Sequence, residues 1–445
     1  MAAPQHPHSP GSTPDTGPDT GPDTGPDSGP VSGPVSGPDT GTGSATGAAR
    51  TGTSASGRSA VMGAVFLMAT SAIGPGFITQ TASFTVSMGA AFACAIVLSV
   101  LVDIAVQMNV WRVVGVSGRR AHELGNAVLP GVGYLLAGLV VLGGMIFNIG
   151  NVAGTGLGTN AMFGLDPRIG GALSAALAIG IFLSKRAGVA LDRVVILLGL
   201  VMILATLGIA VTSAPPVGDA LVNVVLPESF DFVAVTTIIG GTVGGYITYA
   251  GAHRLLDSGK TGPEHVSDIT KSSVTGILVT GVMRVLLFLA VLGVVAGGVT
   301  LATDDPAGSA FQAAAGDIGL RVFGLILWAA AITSVIGAAY TSVSFMTSSR
   351  TPERTRNLIT VGFIAVTAAI FVAIEETPVT LLIFAGTFNG LILPIGFGVL
   401  LWVAWRRRDL LGGYRYPAWL LAIGVLAWLL TLYLGYNAIL TLGDL

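Results

Sequence analysis

Eleven apolar runs, each close to the thickness of a bilayer core, dominate this chain. They fall at roughly residues 61–88, 89–109, 131–152, 169–184, 194–213, 231–253, 272–297, 321–347, 358–374, 378–405 and 417–440. A helix crosses the hydrocarbon layer with about 20 apolar residues, and inside that layer each backbone N–H and C=O must be paired within the segment. Prolines punctuate the connections at Pro130, Pro167, Pro215-Pro216, Pro263, Pro306, Pro352 and Pro417. Charged side chains make up only 10% of the 445 residues, against about 25% in a soluble domain. The expectation is an all-α polytopic membrane protein whose first partner is the lipid bilayer.

Charge sets the orientation. With the N-terminus in the cytoplasm, eighteen Lys and Arg fall in inner segments and two, Arg168 and Arg321, in outer ones; Arg284 lies within a span. That asymmetry predicts a multi-pass protein of the cell membrane with a cytoplasmic N-terminus and an outer C-terminus. It also supports the number of spans, because one missed helix would scramble the alternation. A net charge of −2 gives no reason to expect nucleic acid.

Residues 1–59 differ in kind. "TGPDTGPDTGPDSGPVSGPVSGPDTG" repeats Gly, Pro, Asp or Val, and Thr or Ser every four residues. With almost nothing apolar to bury, a disordered cytoplasmic tail is expected. The repeat matches neither a calcium loop nor a signal peptide, having no basic start and no early apolar core. Residues 60–445 then form the membrane domain. Cys94 is single in the chain and reads as a small buried residue, and the five histidines have no metal-ligand spacing.

Two spans carry breaks. The first holds Gly74-Pro75-Gly76 at its middle, where proline removes a donor and glycine adds slack. The sixth reads "TTIIGGTVGGYITYAGAHRLLDSG", with Gly240, Gly241, Gly244, Gly245 and Gly251 in one span. The two are five spans apart, and two units of five helices insert in opposite senses. The pattern predicts repeat one over about 61–213, repeat two over about 231–405, and an extra helix at about 417–440. Interrupted helices at matching positions of such halves point to a transporter's central site. The freed backbone groups must line a protein cavity rather than lipid.

Four motifs resemble those of the NRAMP family of divalent-metal transporters. "GPGFI" in span one is similar to the family's Asp-Pro-Gly-Asn-Ile, and "VSGRRAHEL" after span two to its Thr-Gly-Arg-Asp-Leu-Ala-Glu turn. "NIGNVAGT" in span three resembles Asp-Ile-Ala-Glu-Val-Ile-Gly-Thr, and "NGLILP" in span ten a polar residue followed by Leu and Pro. The resemblance covers most of the chain from about residue 60. It implies a LeuT-type fold of 5+5 inverted repeats plus an eleventh helix, with helices 1 and 6 discontinuous, and transport of a metal ion by symport.

The departures bear on the ligand. By the resemblance, the span-one Asp and Asn hold the metal; here those positions are Gly74 and Phe77. If His253 holds the His of the family's Met-Pro-His-Asn motif, Gly251 stands where the Met should be. The acidic pair that the resemblance places on a proton route is here Asn148 and Asn151, and amides do not titrate. Manganese and iron need carboxylate, amide or softer ligands, which glycine and phenylalanine side chains do not supply.

The expected substrate site is Gly74, Pro75, Gly76, Phe77, Thr79 and Gln80 on helix 1, with backbone at Gly240 to Gly245 on helix 6. Helix 6 adds Tyr246, Thr248 and Tyr249; Asn148, Asn151 and Asn389 complete the wall. The set is neutral and suits a small polar organic solute, including one whose carboxylate rests on a half-helix N-terminus. The branch it resembles is often encoded beside 5-oxoprolinase genes, which makes 5-oxoproline a candidate. Alternatives stand for single residues: Tyr246 and Tyr249 also serve as packing aromatics, and Asn148 and Asn151 also serve as bridges between helices.

Coupling is to Na⁺ or H⁺. In the LeuT-type fold a sodium site joins helix-1 carbonyls to helix-8 hydroxyls, and Thr333, Ser334, Thr341 and Ser342 are candidates, although such hydroxyls also bond back within a helix. Asp103 and Arg284 are ionisable groups within spans, a default sign of function; each is expected to pair with an opposite charge at the cytoplasmic end, in a structural or gating role. His253, near Asp257, is either a gate or proton group or a hydrogen-bonded helix end. No Ser-His-Asp set and no Walker loop is present, which argues against an enzyme and a primary pump. Three readings remain: an organic-solute carrier; a divalent-metal transporter for Mn²⁺, Fe²⁺ or hydrated Mg²⁺; and a sensor that kept the fold. Neither the solute's identity nor the oligomeric state is legible.

Overall fold

The computed structural model describes residues 73–257, 259–347 and 351–443; the tail expected at 1–59 and the first half of span one lie outside the described residues. Within them the chain is helical and has no strand. The first half of the bundle comprises α1 (Pro75–Met88), α2 (Phe92–Ser117), α3 (Ala121–Val128), α4 (Val132–Phe163), α5 (Pro167–Leu183), α6 (Lys185–Thr212) and α7 (Val217–Val225). The second half comprises α8 (Phe232–Val243), α9 (Ile247–Asp257), α10 (Val266–Ala296), α11 (Pro306–Met346), α12 (Glu353–Ala373), α13 (Pro378–Arg406) and α14 (Ala418–Gly443).

Local chemistry sets the boundaries. Pro75, Pro167, Pro306 and Pro378 open helices, where the missing N–H costs nothing. Asp166, Asp231 and Asp305 cap the free amides of α5, α8 and α11. Gly118 and Gly164 close α2 and α4 in the left-handed conformation.

Eight helical segments are individually long and apolar enough to cross a membrane among the described residues. Eleven spans were expected, and the difference has local causes. A single 3₁₀ turn at Gly89–Ala91 joins α1 to α2, so the two expected spans run on as one segment, Pro75–Ser117. At 17 residues α5 is short, about 26 Å long at 1.5 Å per residue. The end of α6 and α7 form a pair bent by 103°.

Glycine lets helices touch backbone to backbone. A Cβ added to Gly158 of α4 would lie 2.8 Å from the Gly324 carbonyl oxygen of α11. One added to Gly240 of α8 would lie 2.0 Å from the Gly386 oxygen and 2.2 Å from the Gly390 nitrogen of α13. Small residues at such crossings are how membrane helices gain contact without a hydrophobic drive.

Candidate functional site

The sixth expected span is interrupted over three residues. Helix α8 stops at Val243, Gly244 takes an extended conformation, Gly245 has φ +52°, and α9 resumes at Ile247. Helix α1 begins at the other expected break, with Gly74 as an extended N-cap. Its first amides, at Gly76 and Phe77, have no intrahelical acceptor.

Side chains from four helices close on these breaks. Asn389 of α13 meets Gly245: a Cβ there would lie 1.8 Å from Asn389 Oδ1. Asn389 Nδ2 donates to the Gly143 oxygen of α4 (3.1 Å) and to the Ala385 oxygen (2.8 Å), while Oδ1 has no hydrogen-bond partner. Ser342 Oγ of α11 is also unpartnered, and it lies 2.0 Å from where a Gly144 Cβ would stand. Tyr246 packs edge-on against Phe147 with ring centroids 5.7 Å apart, and its hydroxyl lies near Asn151 of α4, whose Nδ2 has no hydrogen-bond partner. Gln80 of α1 donates Nε2 to the Leu382 oxygen at 2.8 Å. Its Oε1 is unpartnered and faces Gly241 of α8.

Gly74, Pro75, Gly76, Phe77 and Gln80 thus stand at or within two turns of one break, and Gly244, Gly245 and Tyr246 form the other. Gln80 reaches from the first toward α8, while Asn389 stands against Gly245 and Ser342 lies near Gly144 on the side of the second. Two expected residues face elsewhere. Asn148 donates to Thr367 of α12 at 2.9 Å, away from the breaks. Thr248 is bonded to Gln107 at 3.1 Å, on the α2 side. Tyr249 lies one turn into α9 and packs on Phe345; with Gly245, Leu393 and Gly396 it lines a cavity of about 10 Å³, room for about one water. Thr79 is buried within α1.

Gly251 is not at the break. It sits inside α9 with the Trp111 indole 2.1 Å from its Cβ position, and Trp111 Nε1 donates to the Thr248 oxygen at 2.9 Å. The alignment through His253 therefore places the missing thioether a full turn too far along; the residues at the interruption are Gly244, Gly245 and Tyr246, and they offer no thioether either. His253 stacks on Phe345 (4.9 Å), with Ser344 Oγ 3.4 Å from its Nδ1. His122 of α3 packs against the same phenylalanine at 5.4 Å. The side chain of Asp257 lies outside the described residues.

The helix-8 hydroxyls divide. Thr333 bonds back to the Ala329 and Ala330 carbonyls, Thr341 is buried, and Ser334 and Ser342 each have an unpartnered Oγ.

Asp103 and Arg284 depart most from expectation, since neither forms an ion pair among the described residues. Both are buried, and Arg284 instead spreads over the Phe77 ring, with Cζ 4.4 Å from the centroid. Its Nη1 donates to the Ile238 oxygen of α8 at 3.4 Å. Asp103 lies beside Thr242 and in the field of Arg284. Sequence flagged both charges but placed them at the cytoplasmic end, because a position along a helix does not say which neighbour it faces.

Interrupted helices with polar walls, in a bundle of this topology, define a LeuT-fold membrane transporter. The structure of MhsT in complex with L-phenylalanine matches with a TM-score of 0.61 at 14% identity, covering 85% of this chain and 98% of that one. The manganese transporter of Eremococcus coleocola, in complex with an aromatic bis-isothiourea substituted compound, matches with a TM-score of 0.68 at 17% identity, covering 85% and 86%. The model of the family described as natural resistance-associated macrophage protein-like matches residues 65–441, and the chain belongs to that family. It is 52% identical over 391 residues to the uncharacterized membrane protein YcsG of Bacillus subtilis (strain 168), covering 88% of this chain and 96% of that one. An uncharacterized membrane protein of Haemophilus influenzae is 50% identical over 364 residues, covering 82% and 91%.

Proposed function

We propose that this NRAMP-family transporter moves a small polar or carboxylate-bearing organic solute across the cell membrane, by alternating access of its two repeats. One observation carries the reading: the walls of the two breaks are amides, hydroxyls, aromatics and bare backbone. Gln80, Asn151, Asn389, Ser342 and Tyr246 supply them, while Gly74, Phe77, Gly244 and Gly245 contribute no ligand atom from a side chain. Among the described residues, no three His, Cys, Asp or Glu side chains gather as a metal ion would require. The neutral donors suit a solute that exchanges its hydration for hydrogen bonds; beside such amides a bare transition metal would need a carboxylate or thioether as well, and none stands at the breaks among the described residues. 5-Oxoproline, small and carrying both an amide and a carboxylate, is the candidate. The driving ion is Na⁺ or H⁺, with Ser334 and Ser342 the helix-8 hydroxyls left free to coordinate it. The N-terminus lies in the cytoplasm and the C-terminus outside.

The second reading is a divalent-metal transporter, favoured by the family and by the fold shared with a manganese transporter. Uptake into proteoliposomes separates the two. Labelled 5-oxoproline and other small carboxylates and amino acids are compared with labelled manganese, each with and without sodium and proton gradients. Saturable organic uptake without manganese uptake is expected; saturable manganese uptake would overturn the proposal.

A further inference from the structure

Arg284 carries five N–H donors into the middle of the protein with 2% of its surface exposed. The Ile238 carbonyl takes one, at 3.4 Å. Nε and Nη2 have no partner, and no carboxylate oxygen among the described residues lies within 4.0 Å of the guanidinium. Asp103 is near enough for its field to act on Arg284 but does not pair with it, and its own Oδ1 is unpartnered. A buried cation left so poorly satisfied costs free energy, and in a membrane such a residue is a functional candidate by default.

Its position is specific. The guanidinium carbon lies 4.4 Å from the centroid of the Phe77 ring, and Phe77 belongs to the first turn of α1, whose amides at Gly76 and Phe77 have no intrahelical acceptor. The Nε and Nη2 edge is the side-on fork that matches the two oxygens of a carboxylate. Phe77 stands where the family resemblance places a metal-binding amide, so the same positive charge that would receive an anion there would repel a divalent cation.

Resting on the organic-solute reading, we propose that Arg284 is the residue that reads the substrate's charge. It binds a single carboxylate through Nε and Nη2, with the α1 amides completing the cradle. Asp103 is the distant counter-ion that balances the charge without occupying the fork. The substrate class is therefore a small monoanion, and an uncharged analogue is rejected because it leaves the guanidinium unpaired.

The test uses full-length protein in nanodiscs and three carboxylates, 5-oxoproline, lactate and benzoate, each with its neutral primary amide. Binding is read by calorimetry for the wild type, Arg284→Lys and Arg284→Gln. Wild type should prefer at least one carboxylate over its amide by about 10–100-fold. Arg284→Gln should abolish that preference, and Arg284→Lys should retain part of it. Equal binding of acid and amide by the wild type would overturn the proposal without any variant, should Arg284→Gln fail to fold. A preference that survives in Arg284→Gln would also overturn it, while leaving the organic-solute reading in place. Manganese binding with no organic binding would defeat both.

Discussion

Replacing Gly245 by alanine tests the geometry of the break. At φ +52° an L side chain costs about 1–2 kcal/mol. The new Cβ would lie 1.8 Å from Asn389 Oδ1 and 2.8 Å from its Cγ, so Asn389 must turn away. That rotation gives up the bonds from Nδ2 to Gly143 and Ala385, each worth about 0.5–1.5 kcal/mol. Gly245→Ala should therefore cost about 2–5 kcal/mol. Asn389→Ala alone forfeits the same two bonds, about 1–3 kcal/mol. In the double variant the clash is gone and only the backbone term is added. The double variant should then cost less than the sum of the singles by about 1–3 kcal/mol. Unfolding free energies from SDS titration in mixed micelles give all four corners of this cycle. Gly138→Ala, whose Cβ meets nothing within 4 Å, is the control. Additivity within about 0.5 kcal/mol would refute the contact, and a Gly245→Ala no worse than Gly138→Ala would refute the strained break.

Gly251→Met should not create a metal site, because the Trp111 indole occupies its Cβ position; a lowered melting temperature with no manganese-dependent stabilisation is expected, and a manganese-induced rise would contradict the packing. Gln80→Ala removes the bond to Leu382 and an amide at the α1 break, so solute affinity should fall about 5–10-fold with the folded yield retained, as proteoliposome uptake would measure. Ahead of α11, burial pushes the Asp305 carboxyl up to about 6, opposed by the Gly308 amide and aided by Asp304. A raised folded-state pKa adds stability that is fully present below about pH 4 and lost as pH rises through 6, about 3 kcal/mol in all. Asp305→Asn keeps an acceptor for Gly308 without a buried charge, so its melting temperature should exceed that of the wild type above pH 6 and change less between pH 4 and 6; parallel pH profiles would refute this.

Hydropathy and prolines made the helices legible, since a bilayer imposes one length and one hydrogen-bonding solution. The breaks were legible because Gly-Pro-Gly and a glycine cluster have few other uses inside a span. What stayed hidden was the division of labour among glycines. Gly240 and Gly241 serve close packing inside α8, Gly244 and Gly245 form the interruption, and Gly251 makes room for Trp111. A glycine states what is missing, and only the neighbour that fills the gap tells why. Arg284 was hidden for a related reason: the residues on either side of it in α10, Val282-Met283 and Val285 to Val291, are apolar all round, so no polar stripe there marks the direction of its one buried cation. The join of α1 to α2 was legible at Gly89, where the expected spans 61–88 and 89–109 abut, although the 3₁₀ turn that makes it was not.

The contact of Gly240 with Gly386 and Gly390 has a mechanical meaning. Helices that meet through side chains interlock like gears, and shifting one past the other means climbing out of each hole. At this crossing α8 and α13 meet carbonyl against α-carbon, the Thr236 and Thr237 methyls pack over Gly390 and Gly386, and a 2.6 Å hydrogen bond joins the Thr237 and Thr387 hydroxyls. Such a crossing works as a clamp: sliding α8 past α13 would break the Thr237–Thr387 bond and drive the threonine methyls out of the glycine notches. The half-helix that ends at the break is thereby fixed to α13, and the glycines that bring it so close anchor one edge of the interruption.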